Sequence, residues 1–165
     1  MQSQSVHTSC TAAEAVLHAT PSLADLSARA LQQLQALLDI AQRHSAGKRP
    51  DGKSLWHVSR WLQKTAYANI GNGQAPRFLL TKHYGAWLID HQRALGLRKL
   101  ELDNPYKAPP GAILVLRPGT RHFPTGDIAV VGRGGHFYNG GERDYGGPLY
   151  FPRGNKHVVG IFVPT

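Results

Sequence analysis

Residues 110–138 read PGAILVLRPGTRHFPTGDIAVVGRGGHFY. Two apolar runs stand in this stretch, 112–116 and 128–131, each introduced by a glycine and closed by a turn that carries an arginine. Short Val, Ile and Leu runs bounded by Gly and Pro have the pattern of buried strands. Further strands are expected near 136–138, 149–151 and 158–164, punctuated by Gly and Pro. Upstream of residue 110 the periodicity is helical. Helices followed by strands predict an α+β fold, with an antiparallel sheet packed by N-terminal helices.

Working outward, residues 103–109 form a turn rich in Asp, Asn and Pro, and 97–102 is a strand or an extended link. A helix is expected over about 76–95, stopped by Gly96. Gly71 and Gly73 separate it from a helix that opens at Ser54 in SLWHVSRWLQKTAYA, where Leu55, Val58, Leu62 and Ala66 lie along one side. Before that comes the turn KRPDGK at 48–53. An earlier helix should start at Thr20-Pro21, a good N-cap followed by a good first-turn residue, and run to His44. Leu23, Leu26, Ala30, Leu34, Leu37, Leu38 and Ala41 recur at its period and form a core face. Thr11 and Glu14 have capping-box spacing, so a short helix is expected at 12–18. The expected organisation is a flexible segment at 1–20 and a single domain at 21–165.

A chain of 165 residues can bury a core without staples. Its one cysteine, Cys10, excludes an internal disulfide framework and a multi-cysteine zinc site, and reads as an incidental thiol. With 19 Lys+Arg against 10 Asp+Glu the net charge is +9, which favours polyanions. The basic residues are scattered along the sequence, so a soluble protein of high pI is preferred to a dedicated nucleic-acid binder. No apolar run is long enough to span a membrane, and no membrane insertion is expected. The first residues lack a cationic, apolar signal pattern. That predicts a cytoplasmic protein, or one that leaves by a route needing no cleaved signal.

Several segments are similar to the papain-like cysteine peptidases of the CHAP and NlpC type. GKSLWHVSRWL at 52–62 resembles the family's nucleophile helix. PGAILV at 110–115 resembles its first strand, PTGDIAVV at 124–131 its histidine strand, and VGIFVP at 159–164 its terminal strand. The closest likeness is to peptidoglycan amidases and endopeptidases, including effectors delivered by type VI secretion. The resemblance covers residue 48 to the C-terminus. It implies a papain-like half-barrel, no cofactor and no metal. It also implies a peptidoglycan stem peptide as ligand, or a protein partner such as a cognate immunity or secretion component. In the family a cysteine at a helix N-terminus, a histidine on the sheet and a polar third residue form the site.

Here the matching positions hold Ser54, Asp127 and Asn139. A serine hydroxyl needs a strong base beside it, and an ordinary carboxylate is a poor one. The resulting expectation is a catalytically inactive pseudoenzyme that keeps the groove. In a second register GDIAVV precedes the histidine, His136 becomes the base, and Ser54 with His136 makes an active hydrolase, natural or derived from a cysteine enzyme. Trp56, His57 and Tyr138 are then groove residues. His57 stands one helical turn from Ser54, although a surface histidine is the simpler reading. Trp56, Trp61 and Trp87 are helical, as core or groove wall. His83 and His91 stand eight apart without a zincin glutamate, and Glu142 with Asp144 reads as a solvated loop.

Overall fold

A computed structural model describes residues 25–70 and 80–165. The expected helix at 12–18, Cys10, the Thr20-Pro21 start and the Gly71–Gly73 break lie outside the described residues. Three helices and a six-stranded antiparallel open sheet make up the described chain: α1 (Ala28–Ser45), α2 (Ser54–Lys64), α3 (Thr81–His91), then β1 (Leu97–Lys99), β2 (Ile113–Leu116), β3 (Asp127–Val131), β4 (Phe137–Tyr138), β5 (Glu142–Arg143) and β6 (Val158–Pro164). The strand order is β1-β6-β2-β3-β4-β5. Mixed α+β architecture with helices first is therefore as read from the sequence.

The helices differ from expectation at their ends. Ser27, not Thr20, caps α1: its Oγ accepts the Ala30 N–H at 3.1 Å. The buried stripe Ala30, Leu34, Leu37, Leu38 and Ala41 is the one the period predicts. Helix α2 stops at Lys64 rather than near Ala68. Thr65 turns its hydroxyl back to the Trp61 carbonyl at 2.8 Å, and Ala66 and Ala68 adopt positive φ. Ala66 consequently leaves the apolar side, and Trp61 joins Val58 and Leu62 in the core. Helix α3 ends at His91, short of the predicted 95, and the part of that prediction before residue 80 lies outside the described residues.

β2 and β3 are buried at every position and pair Ile113 with Val130 through Leu116 with Asp127. Alternation along β3 places Asp127, Ala129 and Val131 on one face and Ile128 and Val130 on the other. Helix α3 covers the Ile128 face: Val115 pairs with Ile128, and a Cβ at Gly85 would stand 2.7 Å from Val115 Cγ1, so only glycine lets the helix settle there. Gly111, with φ of 88°, lies against the Leu34 backbone and ties α1 to the start of β2. Aromatic rings gather around the loops that follow β2 and β5. Phe123 stacks on Phe151 at 6.1 Å, and Tyr145 meets Phe137 at 5.0 Å and Phe123 at 5.7 Å.

Two strand expectations are corrected. Residues 149–151 are not a strand: Pro148–Tyr150 is a 3-10 turn, because proline after a left-handed Gly147 starts a helical turn and cannot donate to a ladder. The loop reading of GGER misses β5, which Tyr138 and Phe137 pair through Glu142 and Arg143. Two residues carry too little alternation to be seen as a strand.

Candidate functional site

Helix α2 begins at Ser54, so the serine occupies a helix N-terminus. Its approach is set by Asp51, whose Oδ1 accepts the Lys53 N–H at 3.0 Å while Oδ2 meets His57 Nε2 at 2.9 Å. These bonds, His57 first, hold the Asp51 carboxyl below its ordinary value. His57 is thereby pinned one turn beyond Ser54. Its ring lies over Gly140, where any Cβ would overlap it, and 5.8 Å from the Trp61 indole. Trp56 remains exposed.

Asp127 opens β3, 4 % exposed. Its Oδ2 accepts the Tyr145 hydroxyl at 2.7 Å and the Asn139 amide at 2.9 Å, and its Oδ1 accepts the Ile128 N–H at 2.9 Å. Arg143 Nε approaches Oδ2 to 3.3 Å without hydrogen-bond alignment, so it contributes there as charge. Asp127 and Asn139, picked from the sequence, are thus joined directly. Tyr145 and Arg143 were missed. The signal available for Tyr145 was an aromatic two residues past an unrecognised strand, which carries no pattern of its own. Burial, then the Asp127 charge, pushes the Tyr145 hydroxyl far above its usual range, so it stays a donor.

Asp127 and His136 are well separated along the hairpin. Asp127 begins β3, whereas His136 lies in the turn past its other end, where its carbonyl accepts the Gly132 N–H at 2.8 Å. Its Nδ1 lies 2.6 Å from Glu142 Oε1, and Glu142 Oε2 accepts the Gly47 N–H at 2.7 Å. Among the described residues no hydrogen bond joins Ser54 to His57, His136 or Asp127. Tyr138 is corrected from groove to core. It is buried, pairs with Val130, and by the pleat shares the Val130 face rather than that of Asp127.

His136 and Glu142 line a cleft of about 510 Å³ together with Arg143, Asp144 and Tyr145. Gly47 and Pro50 close it on the helical side, and His122 on the other. The cleft is therefore built from the α1–α2 connection and the loops around β5. Glu142 and Asp144, read as a solvated loop, are part of its wall. No group of three or more His, Cys, Asp or Glu among the described residues is placed to hold a metal ion. No helix among them is long and apolar enough to cross a membrane.

Comparison with known proteins leaves the geometry to stand alone: no protein-family model, curated protein or solved structure matches this chain.

Proposed function

We propose that this chain is a papain-like domain of the CHAP and NlpC type that has lost hydrolysis and binds a ligand in the cleft beside its former catalytic position. The ligand class is a peptidoglycan stem peptide, or a protein partner presenting a similar extended peptide. One observation carries the reading. The Asp127 carboxylate, at the position of the family's histidine, is buried and accepts hydrogen bonds from Tyr145, Asn139 and Ile128. A general base needs a free lone pair within reach of the nucleophile's proton. Three donors and the Arg143 charge engage the carboxylate, and among the described residues no hydrogen bond joins its remaining lone pair to Ser54. The carboxylate thus works as a brace between β3, β4 and the chain after β5.

Ser54 then has a helix N-terminus and, among the described residues, no hydrogen-bonded base to activate it. The cleft retains polar groups suited to a peptide: the His136–Glu142 pair, Asp144, and backbone from the Gly47 and Pro50 segment.

The test is incubation of purified peptidoglycan with the parent and with Ser54→Ala, with soluble products identified by mass spectrometry. Neither protein is expected to release muropeptides. Calorimetric titration with a soluble stem peptide should show binding by both proteins, weakened by Glu142→Gln. Release by the parent and not by Ser54→Ala would overturn the inactive reading and make Ser54 a nucleophile. Absence of any peptide binding would overturn the ligand assignment.

A further inference from the structure

The basic residues that look dispersed along the sequence are concentrated by the fold. Between residues 43 and 64 stand six cations, Arg43, Lys48, Arg49, Lys53, Arg60 and Lys64, against the single acid Asp51. That excess of five is over half of the chain's net +9, and all six cations are exposed. Asp51 does little to offset them, being engaged by His57 and the Lys53 N–H.

Ring contacts, and the charges that reach His44, tie Arg43, Lys48, Arg60 and Lys64 into one face. His44, at the end of α1, stacks 6.2 Å from Trp61 of α2. His57 is 5.8 Å from the same indole and 4.9 Å from Trp56. The Arg60 guanidinium lies 4.7 Å over Trp56. Burial lowers the His44 pKa, and the charges of Lys64, Lys48, Arg43 and His57 lower it further, which is what converging cations do to a titrating neighbour. At the centre, Trp56 is 54 % exposed, a large apolar surface left to solvent among cations.

We infer that this face, the end of α1 and the outer side of α2, binds single-stranded nucleic acid. Phosphates would sit against Lys53, Arg60, Lys64 and their neighbours, with a base stacked against the Trp56–Arg60 pair. Cations along a backbone track combined with an aromatic platform are the two components of single-strand binding. A duplex keeps its bases stacked inside and offers the indole nothing. A polyanion without bases uses the charges alone. The face adjoins the His136–Glu142 cleft at the 47–50 turn, but Trp56, Arg60 and Lys64, the residues tested below, line no part of that cleft.

Fluorescence anisotropy with labelled dT and rU oligomers of about 15 nucleotides tests it, beside a duplex of equal length and a polyphosphate competitor. Four phosphate contacts would cut affinity about fiftyfold between about 50 and 200 mM salt. Trp56→Ala should weaken binding about tenfold or more at constant salt slope. The exposed pair Arg60→Gln with Lys64→Gln should flatten the slope by about 1.4. Circular dichroism would verify that each variant is folded, and the Gln pair reports independently of Trp56. The two single strands should bind within a few fold of each other and better than the duplex. No binding at low salt, equal binding of the duplex, or Trp56→Ala binding as the parent does would each overturn the proposal.

Discussion

Tyr145→Phe is the sharpest probe of the Asp127 brace. The substitution removes one oxygen and no carbon, so the ring keeps its contacts with Phe137 and Phe123 and no cavity opens. What it deletes is the 2.7 Å bond to Asp127 Oδ2, made between groups that are almost fully buried. A hydrogen bond to a charged group contributes about 1.5–3 kcal/mol net. The upper end requires the acceptor to be left bare. Here Oδ2 keeps the Asn139 amide at 2.9 Å and the Arg143 charge at 3.3 Å, so a loss of about 2 kcal/mol is expected. With a urea slope of about 2 kcal/mol per molar, the unfolding midpoint should fall by about 1 M at unchanged slope. A double-mutant cycle with Asp127→Asn isolates the pair, and its coupling should be at least about 1 kcal/mol. A midpoint shift under about 0.2 M, or no coupling, would refute the claim that the buried carboxylate is held in place by Tyr145. The argument that it cannot act as a base would then lose its main support.

Three further outcomes follow from the same geometry. Gly140→Ala places a methyl inside the His57 ring at a φ of 101°, so it should destabilise by about 3 kcal/mol in thermal unfolding and displace His57 from Asp51 in NMR spectra. Asp51 is depressed by its His57 bond, so its folded pKa lies below the unfolded one. Its contribution is present above an ordinary value of 3.8 and fades as pH falls below it. In urea titrations at a series of pH values, Asp51→Asn should remove that part of the acid loss and leave the curve near neutrality parallel to the parent's. His44 should titrate below 6.5 by NMR, and Lys64→Gln should bring it closer to that value, whereas an unchanged midpoint would mean that Lys64 does not belong to the basic face.

What the sequence revealed and what it hid have one physical division. Long periodic signals survived: the α1 stripe from Ala30 to Ala41 and the runs of β2 and β3 are set by burial, which repeats along the chain. Ends and short elements were lost to local chemistry. Ser27 outcompeted Thr20 as the α1 cap, Thr65 ended α2 by bonding back to Trp61, and a glycine-proline pair turned 148–150 into a 3-10 turn. The site divides in the same way. Asp127 and Asn139 were singled out by the family resemblance alone, and the β3–β4 hairpin brings the two side chains within 2.9 Å.

Tyr145 and Arg143 were invisible, because their part depends on the chain after β5 reaching Asp127, a long-range event with no periodic trace. The basic face was missed for a related reason. Arg43, Lys48 and Lys64 stand near one another in sequence without forming a compact block, and only the turn between α1 and α2 folds them about one histidine. A substitution of histidine by aspartate in the sequence reads as loss of a base. In the fold, the carboxylate accepts from three donors, so under the proposed reading the position serves a structural role. On that view Asp127→His should not restore hydrolysis even beside Ser54→Cys. The imidazole would enter a pocket built for a smaller carboxylate, among the donors Tyr145 and Asn139 and the Arg143 charge, all of which favour a negative group, and destabilisation with no released muropeptide is the expected result.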